Sequence, residues 1–572
     1  MNYRWTNAPK ASAKITQNLQ QQLGINPTLC GLLAQRDIHD FDAAKVFFRP
    51  NLSSLNDPFL MKDMDKAVER IERAIKAEER ILIYGDYDVD GTTAVSLVHS
   101  FLKNHYPHLD TYIPDRYKEG YGVSTAGIDY AADNDISLII ALDCGIKAID
   151  KVEYASSKGI DFIIGDHHRP GDKIPEAVAV LDPKREDCNY PFDELSGCGV
   201  GFKLVQALCK KWELPDSEWT CLLDLLAISI GADIVPINGE NRVLAFYGLK
   251  LINEHPRPGI ALLKGLAGKK DITMTITDVV FLLGPRINAA GRISHGHLAV
   301  ELLTGEDPTV IEELSKTIND HNNERKELDG SITQSALKMI QDLDETDRYS
   351  TVVFEKDWHK GVIGIVASRL IENYYRPTVV FTESKGVLAG SARSVKGFDV
   401  YNALDSCSDI LEQFGGHMYA AGMTLPVDKF QEFKDKFEEV VKSTIKPEQR
   451  APEIEIDATV TFPELTDKFY KVLKQFAPFG PANMQPTFRT DNLSDTGFSK
   501  PVGGDGTHLR VILKDPSSGI SFTGIGFGMA DKLPLLQSGK PISIAYHFEE
   551  NHFNGKVTLQ IRLKDIKLTE EL

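Results

Sequence analysis

The sequence contains few cysteines, and they matter mainly for what they exclude. There are seven cysteines in 572 residues, and no two of them form a Cys-x-x-Cys pair. An odd, scattered set fits neither a disulfide framework nor a thiolate zinc site, so we expect a reduced protein in the cytoplasm. No apolar run reaches the ~18 residues of a membrane span. The opening MNYRWTNAPKASAKI also lacks the apolar core of a signal peptide, so we expect no membrane contact.

Positive charge is in short supply as well. The chain has 64 lysines and arginines against 82 aspartates and glutamates, which gives a formal net charge of -18. This balance argues against a protein that coats nucleic acid with its whole surface, although it allows a local basic groove. Hydrophobic residues make up 42% of a chain that is too long for one ordinary core. We therefore expect three or four domains.

Strands and helices alternate in the first half of the chain. The apolar segments RILIYGD, SLIIALD and DFIIGD are predicted to be buried strands, and the segments between them have apolar residues at helical spacing. This alternation predicts a parallel sheet that is covered on both faces. Ligands of such sheets bind beyond the carboxyl ends of the strands. The residues that follow the three segments are therefore candidates for a functional site.

Other regions show different patterns. We predict a helical lead-in up to about residue 60 and a mostly helical stretch that ends near residue 304. The polar pattern of residues 308–344 predicts one long connecting helix, with an interruption near Gly330 left open. A second α/β pattern follows, and from Glu453 onward strand succeeds strand. Asn554-Gly555 is typical of a type I′ hairpin. From this succession of strands we predict a five-stranded barrel of the oligonucleotide-binding (OB) kind.

Three aspartates, Asp86, Asp88 and Asp90, directly follow the first apolar strand. An EF-hand calcium loop begins in this way, but it needs a glutamate eleven residues after Asp86, where the chain has Leu97. Capping of the next helix is the simpler alternative, but one acid is adequate for that task and three repel each other. A bound cation explains the cluster better.

The next two strands also end in potential metal ligands. SLIIAL is followed by Asp143, and DFIIG by Asp166-His167-His168. Because the carboxyl ends of parallel strands share one edge, these groups are expected to converge with the aspartate cluster. Carboxylates with imidazole suit Mn²⁺ or Mg²⁺, and imidazole favours Mn²⁺. Asp233, which follows a further apolar run, could complete the site, or it could merely end a helix.

Such a group of ligands predicts phosphoester hydrolysis. Two divalent ions about 3.5–4 Å apart, joined by a shared carboxylate, are a general device for this reaction. Asp143, alone at its strand end, is the natural bridge. His168 could point past the ions and donate a hydrogen bond to the scissile phosphate.

The motifs DYDVDG, LDCG and GDHH, in this order, resemble those of the DHH phosphoesterase superfamily. The resemblance extends over nearly the whole chain. The segments GYGVS, GADIVPINGENR, GPRINAAGRI, GVIGIVASRL, GSARS, GGHMYAAGMTL and FAPFGPANMQPTF are similar to those of its bacterial family of single-stranded-DNA-specific exonucleases. The fold that this implies is a multidomain α/β protein. It has a helical lead-in (1–60), a parallel-sheet DHH domain (61–305), a long connecting helix (306–347), an α/β DHHA1 domain (348–450) and an OB-fold β-barrel that binds single strands (451–572).

The same resemblance implies an activity and a set of partners. The activity is 5′→3′ hydrolysis of single-stranded DNA with two Mn²⁺ or Mg²⁺ ions, in DNA repair and recombination. The implied partners are single-stranded DNA, a single-stranded-DNA-binding protein and a helicase, and the implied state is a monomer. Two other classes stay open at this point. A small-substrate phosphodiesterase would act as well on a dinucleotide as on a long strand, and a non-catalytic scaffold would cleave nothing in Mn²⁺.

Residue roles carried over by motif form two groups. The metal ligands would be Asp86, Asp88, Asp90, Asp143, His167 and Asp233, with His168 as a further catalytic residue. Substrate contacts would come from Arg116, Arg286, Asn288, Arg292, Ser391, Arg393, Gly415, Gly416 and His417. The arginines could instead be structural ion-pair partners and the glycines turn residues. The aromatics Phe527, Tyr546 and Phe548 of the last domain are more often barrel core than base-stacking platforms.

Overall fold

The computed structural model describes residues 3–553 and 555–572. They form two compact units. One unit comprises the described part of Met1–Phe48 together with Glu327–Phe476 and Gln485–Leu572, and the other comprises Arg49–Lys326 with Ala477–Met484. In this described part of the chain, no helix is both long enough and apolar enough to span a membrane.

The amino-terminal region begins with a strand and continues with helices. Its elements are β1 (Arg4–Asn7), α1 (Ala13–Leu23), α2 (Pro27–Ala34) and α3 (Phe41–Phe48). Residues 4–7 of the predicted helical lead-in therefore form a strand, whereas its elements from residue 13 to residue 48 are helices. Strand β1 pairs in parallel with residues Glu453–Ile456, a partner so distant in sequence that no local pattern indicates it.

A parallel five-stranded sheet forms the centre of the Arg49–Lys326 unit. Its elements are α4 (Met64–Lys76), β2 (Arg80–Gly85), α5 (Val89–Lys103), β3 (Leu109–Tyr112), α6 (Thr125–Asp133), β4 (Ile136–Leu142), α7 (Ile149–Ser157), β5 (Asp161–Gly165) and β6 (Ala179–Leu181). The strand order is β3-β2-β4-β5-β6. Ile81 and Ile83 of β2 face one apolar core, and Leu82 and Tyr84 face another. The sheet is thus covered on both faces, as the uninterrupted apolar strands predict.

Helices complete this unit and lead out of it. They are α8 (Gly197–Lys211), α9 (Ser217–Thr220), α10 (Leu223–Ala232), α11 (Gly239–Glu254), α12 (Pro258–Leu266), α13 (Ile276–Asp278), α14 (Gly284–Ile293) and α15 (His297–Thr304). The long helix α16 (Pro308–Asp342) follows. It continues through Gly330 without a break, so the interruption considered there does not occur.

A second α/β region follows α16. Its elements are β7 (Thr351–Phe354), α17 (Ile363–Asn373), β8 (Thr378–Ser384), β9 (Val387–Arg393), α18 (Val400–Asp405), β10 (Gln413–His417), β11 (Ala420–Leu425) and α19 (Phe430–Thr444). The strand order is β10-β11-β9-β8-β7. Phe381, Phe433 and Phe437 are fully buried in its core, so this region has an apolar core of its own.

The carboxyl-terminal region contains a closed barrel. Its elements are β12 (Glu453–Ile456), β13 (Ala458–Thr459), α20 (Asp467–Leu473), β14 (Phe488–Asp495), β15 (Lys500–Val502), β16 (His508–Lys514), β17 (Ser521–Gly526), α21 (Leu533–Gln537), β18 (Ile542–Phe553) and β19 (Lys556–Leu568). The strands β14, β18, β19, β17 and β16 form a ring, because β14 pairs with both β18 and β16. This arrangement confirms the five-stranded OB-type barrel.

The predictions for single residues of the barrel have different outcomes. Tyr546 and Phe548 are buried in the barrel core, whereas Phe527 is 59% exposed. The core alternative therefore holds for the first two aromatics and not for the third. Asn554, where a type I′ turn is predicted, lies outside the described residues. The strands on either side of it pair from Phe553 and Lys556 onward.

Candidate metal centre and active site

The aspartate cluster lies where β2 passes into α5. Asp88 is the N-cap of α5, and its Oδ1 accepts a hydrogen bond from the backbone N–H of Gly91 at 3.0 Å. Asp86 is fully buried, and its Oδ1 accepts a hydrogen bond from Gly122 N at 3.1 Å. A Cβ at Gly91 would lie 2.4 Å from the carbonyl oxygen of Asp86, so this tight turn requires glycine. Capping, the simpler alternative, accounts for Asp88 alone.

Asp90 points away from the turn towards the start of α8. Its two carboxylate oxygens accept hydrogen bonds from Gly197 N at 2.7 Å and Cys198 N at 2.9 Å. Ser229 Oγ donates a third hydrogen bond at 2.6 Å. The free N–H groups and the dipole of a helix N-terminus favour a carboxylate at this position. Helix α8 therefore holds Asp90 in one orientation.

Asp143 follows β4 in an unusual backbone conformation. Its φ is 58°, in the left-handed region that aspartate tolerates better than most residues. A Cβ on Gly197 would lie 2.5 Å from Asp143 Cβ and 2.7 Å from its Cα. The first residue of α8 must therefore be glycine for the helix to approach both Asp90 and Asp143.

The two histidines after β5 have different surroundings. His167 is 6% exposed, and its Nε2 lies 3.3 Å from Asp143 Oδ1, 3.7 Å from Asp90 Oδ2 and 3.6 Å from Asp233 Oδ2. The side chain of His168 is 45% exposed, and its Nδ1 lies 2.7 Å from Asp166 Oδ1. His167 therefore lies among the acids, whereas His168 reaches the surface.

The structure brings together most of the predicted metal ligands. Asp90, His167 and Asp233 form one group whose ligand atoms lie within 4.8 Å of one another, and Asp143, His167 and His168 form a second. His167 belongs to both. Asp86 and Asp88 belong to neither group, although the Asp88 carboxylate is close enough to raise the pKa of Asp143.

Burial and like charge dominate the electrostatics. Burial, followed by the Asp90 and Asp88 carboxylates, raises the pKa of Asp143 well above its usual value. Burial and the neighbouring carboxylates also raise the pKa of Asp86 and of Asp233 to about 8. Burial lowers the pKa of His167. Ionised carboxylates at this density need a cation.

These residues fit divalent metal ions. Both ring nitrogens of His167 are buried without a hydrogen-bond partner among the described residues, and so is Asp86 Oδ2. A buried polar atom without a partner is costly, and a metal ion would satisfy such atoms. A mixture of carboxylate oxygens and imidazole nitrogen suits Mn²⁺, and the carboxylates alone suit Mg²⁺. The acidic and imidazole groups are therefore positioned to hold metal.

The roles carried over by motif include neither Asp166 nor Tyr121, although Asp166 follows a predicted strand and Tyr121 lies in the GYGVS segment. Asp166 Oδ1 accepts hydrogen bonds from His167 N at 2.7 Å and His168 N at 3.1 Å, besides contacting the His168 ring. Burial would raise the pKa of Asp166, but the bond from His168 and the backbone amides outweigh it and lower the pKa to about 2. Tyr121 Oη lies 3.1 Å from His168 Nε2. The position of Asp166 at a strand end could have indicated its role, whereas Tyr121 lies in a loop whose path the sequence does not reveal.

The three arginines predicted to contact substrate in this unit have different surroundings. Arg286 is 6% exposed and donates to Leu282 O at 2.7 Å and to Asn319 Oδ1 at 3.2 Å, two neutral acceptors rather than the ion-pair partner considered for it. Arg116 stacks on the Tyr87 ring at 4.6 Å, beside the aspartate cluster. Arg292 accepts a hydrogen bond from Tyr117 Oη at its backbone carbonyl.

The GPRINAAGRI motif forms helix α14, which packs against the aspartate cluster. A Cβ at Gly291 would lie 2.7 Å from Tyr87 O, so the helix packs closely on the turn between Asp86 and Asp88. Asn288 Oδ1 is buried without a hydrogen-bond partner in the part of the chain that the structure describes.

The residues predicted in the second α/β region lie on its sheet. Ser391 is paired with Gly422 and Gly422 with Gly415, while Arg393 is paired with Ala420 and Ala420 with His417. Ser391, Arg393, Gly415 and His417 therefore form two adjacent cross-strand rows on one face, because residues two apart in a strand share a face. Gly416 alternates to the other face with a φ of 147°.

A parallel sheet with this group of acids at its carboxyl edge defines a DHH-type phosphoesterase domain. The DHH family N-terminal domain matches residues 80–230, the DHHA1 domain residues 347–443 and the RecJ OB domain residues 456–565. The single-stranded-DNA-specific exonuclease RecJ of Bacillus subtilis (strain 168) is 37% identical over 560 residues, 97% of this chain and 70% of that protein. The chain belongs to the RecJ family of single-stranded-DNA-specific exonucleases.

Solved structures show the same fold. RecJ from Thermus thermophilus in complex with Mn²⁺ matches with a TM-score of 0.82 at 24% identity, covering 99% of this chain and 79% of that one. The same protein in complex with Mg²⁺ matches with a TM-score of 0.76 at 24% identity, covering 99% and 78%.

Proposed function

We propose that the protein removes nucleotides from single-stranded DNA in the 5′→3′ direction, with two divalent metal ions, in DNA repair and recombination. One observation carries the proposal: residues from four distant segments, Asp90, Asp143, His167 and Asp233, converge on a single point of the sheet edge. Membership of the RecJ family supports the substrate. A single-stranded-DNA-binding protein and a helicase as partners, and a monomeric state, belong to the same proposal.

Under this proposal Asp86, Asp88, Asp90, Asp143, His167 and Asp233 hold the ions. Bound there, divalent ions supply a hydroxide nucleophile near neutral pH and neutralise charge on the phosphate. The protein's own contribution is orientation. Helix α8 fixes Asp90 through two backbone N–H groups, and the close approach of Gly197 fixes Asp143. The ligands are therefore held in place by packing and hydrogen bonds.

His168 is suited to contact the scissile phosphate. Its Nδ1 lies against Asp166 Oδ1, and its Nε2 lies 3.1 Å from Tyr121 Oη, a contact that a phosphate oxygen would share or displace. Burial alone would lower the pKa of His168, but the hydrogen bond to Asp166 outweighs it, so the pKa is raised. The protonated ring is thereby favoured, and its Nε2–H can donate to a phosphate oxygen.

The barrel has a basic row on its outer face. Lys500 is paired with Arg510, Arg510 with Ile525, and Ile525 with Arg562. Arg562 is in turn paired with His547. Burial, reinforced by Lys564 and Arg562, lowers the pKa of His547 to about 3. Phosphates of a single strand can follow such a row, with exposed aromatics such as Phe527 available for stacking.

Removing the positive charges of Lys500 and Arg510, which lie at one end of this row, should weaken the binding of single-stranded DNA. Arg562 already pairs with Glu549 at 2.9 Å, whereas neither Lys500 nor Arg510 forms an ion pair with a described residue. In the double variant Lys500→Ala/Arg510→Ala, the dependence of log K on log salt should become shallower by about 1.4, the value for two lost contacts to a single strand. Fluorescence anisotropy with a labelled oligonucleotide in EDTA measures this slope.

The matched control is Lys429→Ala/Lys436→Ala. It removes the same charge from lysines already neutralised by Glu432 at 2.7 Å and Asp409 at 2.5 Å. Its salt slope should equal that of the unaltered protein. Equal slopes for both double variants would mean that the strand does not contact the Lys500 end of the row.

Direction and strand specificity are tested with end-labelled DNA. A single strand of tens of nucleotides, labelled at its 5′ end, should release the label as a mononucleotide at the first turnovers in Mn²⁺, whereas the 3′-labelled strand should shorten progressively. Duplex DNA should resist, and EDTA should stop the reaction. Early release of a 3′ label would reverse the proposed direction. Equal rates on a dinucleotide and on the long strand would favour the small-substrate phosphodiesterases instead.

A further inference from the structure

The segment Ala477–Met484 belongs to a different compact unit from the residues on either side of it in the sequence. Residues 327–476 and 485–572 belong to the other compact unit, yet Ala477–Met484 belongs with Arg49–Lys326. The motif FAPFGPANMQPTF contains this segment and was assigned from the sequence to the OB region. Within its unit, the segment contacts Ile237 and Arg242, two residues that follow Asp233 in the sequence.

The segment contacts the stretch of chain that follows Asp233. Asp233 ends α10, and the next residue, Ile234, is 62% exposed with a φ of 60°. A β-branched residue in the left-handed region is strained and persists only where surrounding contacts hold it. Because the Ile234 side chain is largely exposed, its own packing contributes little to holding this turn, and the contacts of its neighbours in the chain matter more.

Ile237 provides that connection. Its backbone N–H donates to Pro481 O at 2.7 Å, and its side chain is 1% exposed. A Cβ at Gly480 would lie 2.5 Å from Ile237 Cγ1. The segment thus touches both the backbone and the side chain of a residue four positions after Asp233, and the fit at Gly480 leaves no room for a methyl group.

Further hydrogen bonds make the segment a rigid support. Arg242 donates to Ala477 O at 3.0 Å and to Pro478 O at 3.4 Å. Asn483 is 2% exposed, and its Nδ2 donates to Pro478 O at 2.8 Å. The backbones of Gly480 and Asn483 bond to each other in both directions, at 3.0 and 2.9 Å. The loop is therefore closed on itself and bonded to the residues that follow Asp233.

We propose that Ala477–Met484 is a positioning segment for Asp233, which sets the affinity of the centre for divalent metal. The inference rests on the proposed function, because it assumes that Asp233 is a metal ligand. Groups that orient ligands from behind commonly contribute ten- to a hundredfold to metal affinity. No residue of the segment needs to touch metal or DNA for this role.

The test uses full-length protein and the metal alone. Gly480→Ala places a methyl group against Ile237 and should weaken Mn²⁺ binding roughly tenfold, as measured by isothermal titration well below the unfolding temperature. Asn483→Ala, which leaves the backbone contact between Ile237 and Pro481 in place, should weaken it by a smaller factor. Adding Ile237→Ala to Gly480→Ala removes the colliding Cγ1 and should recover part of the affinity.

The control is Gly265→Ala, the same change in α12 at a position where a Cβ would meet nothing within 4 Å. It should bind Mn²⁺ as the unaltered protein does. If Gly480→Ala and Asn483→Ala lower the unfolding temperature while their Mn²⁺ affinity stays within about twofold of normal, the segment only stabilises the fold and the proposal is overturned. If Gly480→Ala does not fold, the Mn²⁺ affinity of Asn483→Ala tests the proposal by itself.

The proposed function is tested separately, by measuring Mn²⁺ binding and strand degradation with the unaltered protein. If it binds Mn²⁺ and degrades single strands while the variants bind equally well, only the positioning role is refuted. If the unaltered protein binds no Mn²⁺, both proposals fail.

Discussion

Replacing Asp143 with asparagine should reduce cleavage of single-stranded DNA by roughly 10³-fold, the upper end of the loss for one electrostatic group in a transition state. Asparagine keeps the shape of the side chain and tolerates the left-handed backbone at this position, so the change removes mainly the charge. Strand affinity measured in EDTA should stay within a few-fold, because the barrel and the basic row lie elsewhere in the chain. Initial rates on a labelled oligonucleotide with saturating Mn²⁺ measure the effect.

The fold should tolerate this substitution. The raised pKa of Asp143, caused by burial and then by Asp90 and Asp88, means that its ionised form is unfavourable in the metal-free protein. The unfolding temperature without metal should therefore be unchanged or higher. Asp135→Asn is the matched control, since Asp135 has a φ of 55° at the opposite end of the same strand and is exposed. Full cleavage by Asp143→Asn would remove this residue from the proposed centre.

Gly197→Ala should reduce cleavage by roughly 100-fold, the effect expected when reacting groups shift by about 1 Å. The new Cβ would lie 2.5 Å from Asp143 Cβ and 2.7 Å from its Cα, while the same residue's N–H holds Asp90 at 2.7 Å. Relief of the collision must move α8 or Asp143, and either movement separates two proposed ligands. Cleavage rates should fall together with the affinity for Mn²⁺.

Gly201→Ala tests whether any added methyl group in α8 would do the same. The nearest atom to its Cβ would be Val98 Cγ2 at 3.3 Å, a side chain that can shift by a few tenths of an ångström. This variant should lose some stability and retain cleavage within a few-fold. If the two variants lose equal activity, the close approach of Gly197 to Asp143 has no special role.

The sequence predicts those features of this protein that follow from local pattern and strand direction. The apolar runs identify β2, β4 and β5, and their parallel arrangement places Asp143 and His167 on one edge. The short edge strands β3 and β6 escape prediction, because LDTY is only half-buried and AVL is three residues long. Local pattern has too little signal in such strands.

Contacts between residues that are distant in sequence account for the other features that the sequence does not predict. Nothing in the spacing of GPRINAAGRI indicates that the Arg286 side chain bonds to the carbonyl of Leu282 and to Asn319, and only the fold shows these bonds. The aspartate cluster differs, because its sequence is compatible with both helix capping and metal binding. In the structure Asp88 caps α5 with one carboxylate oxygen, while Asp90 belongs to a group of side chains able to hold metal.

The pairing of β1 with β12 has a consequence for synthesis of the chain. Arg4 and Glu453 are 449 residues apart, so the first strand emerges from the ribosome long before its partner exists. At elongation rates of about 5–20 residues per second, the delay is roughly 20–90 seconds. During that interval the backbone N–H and C=O groups that residues 4–7 later direct to β12 have no partner there and must bond to water or to other groups.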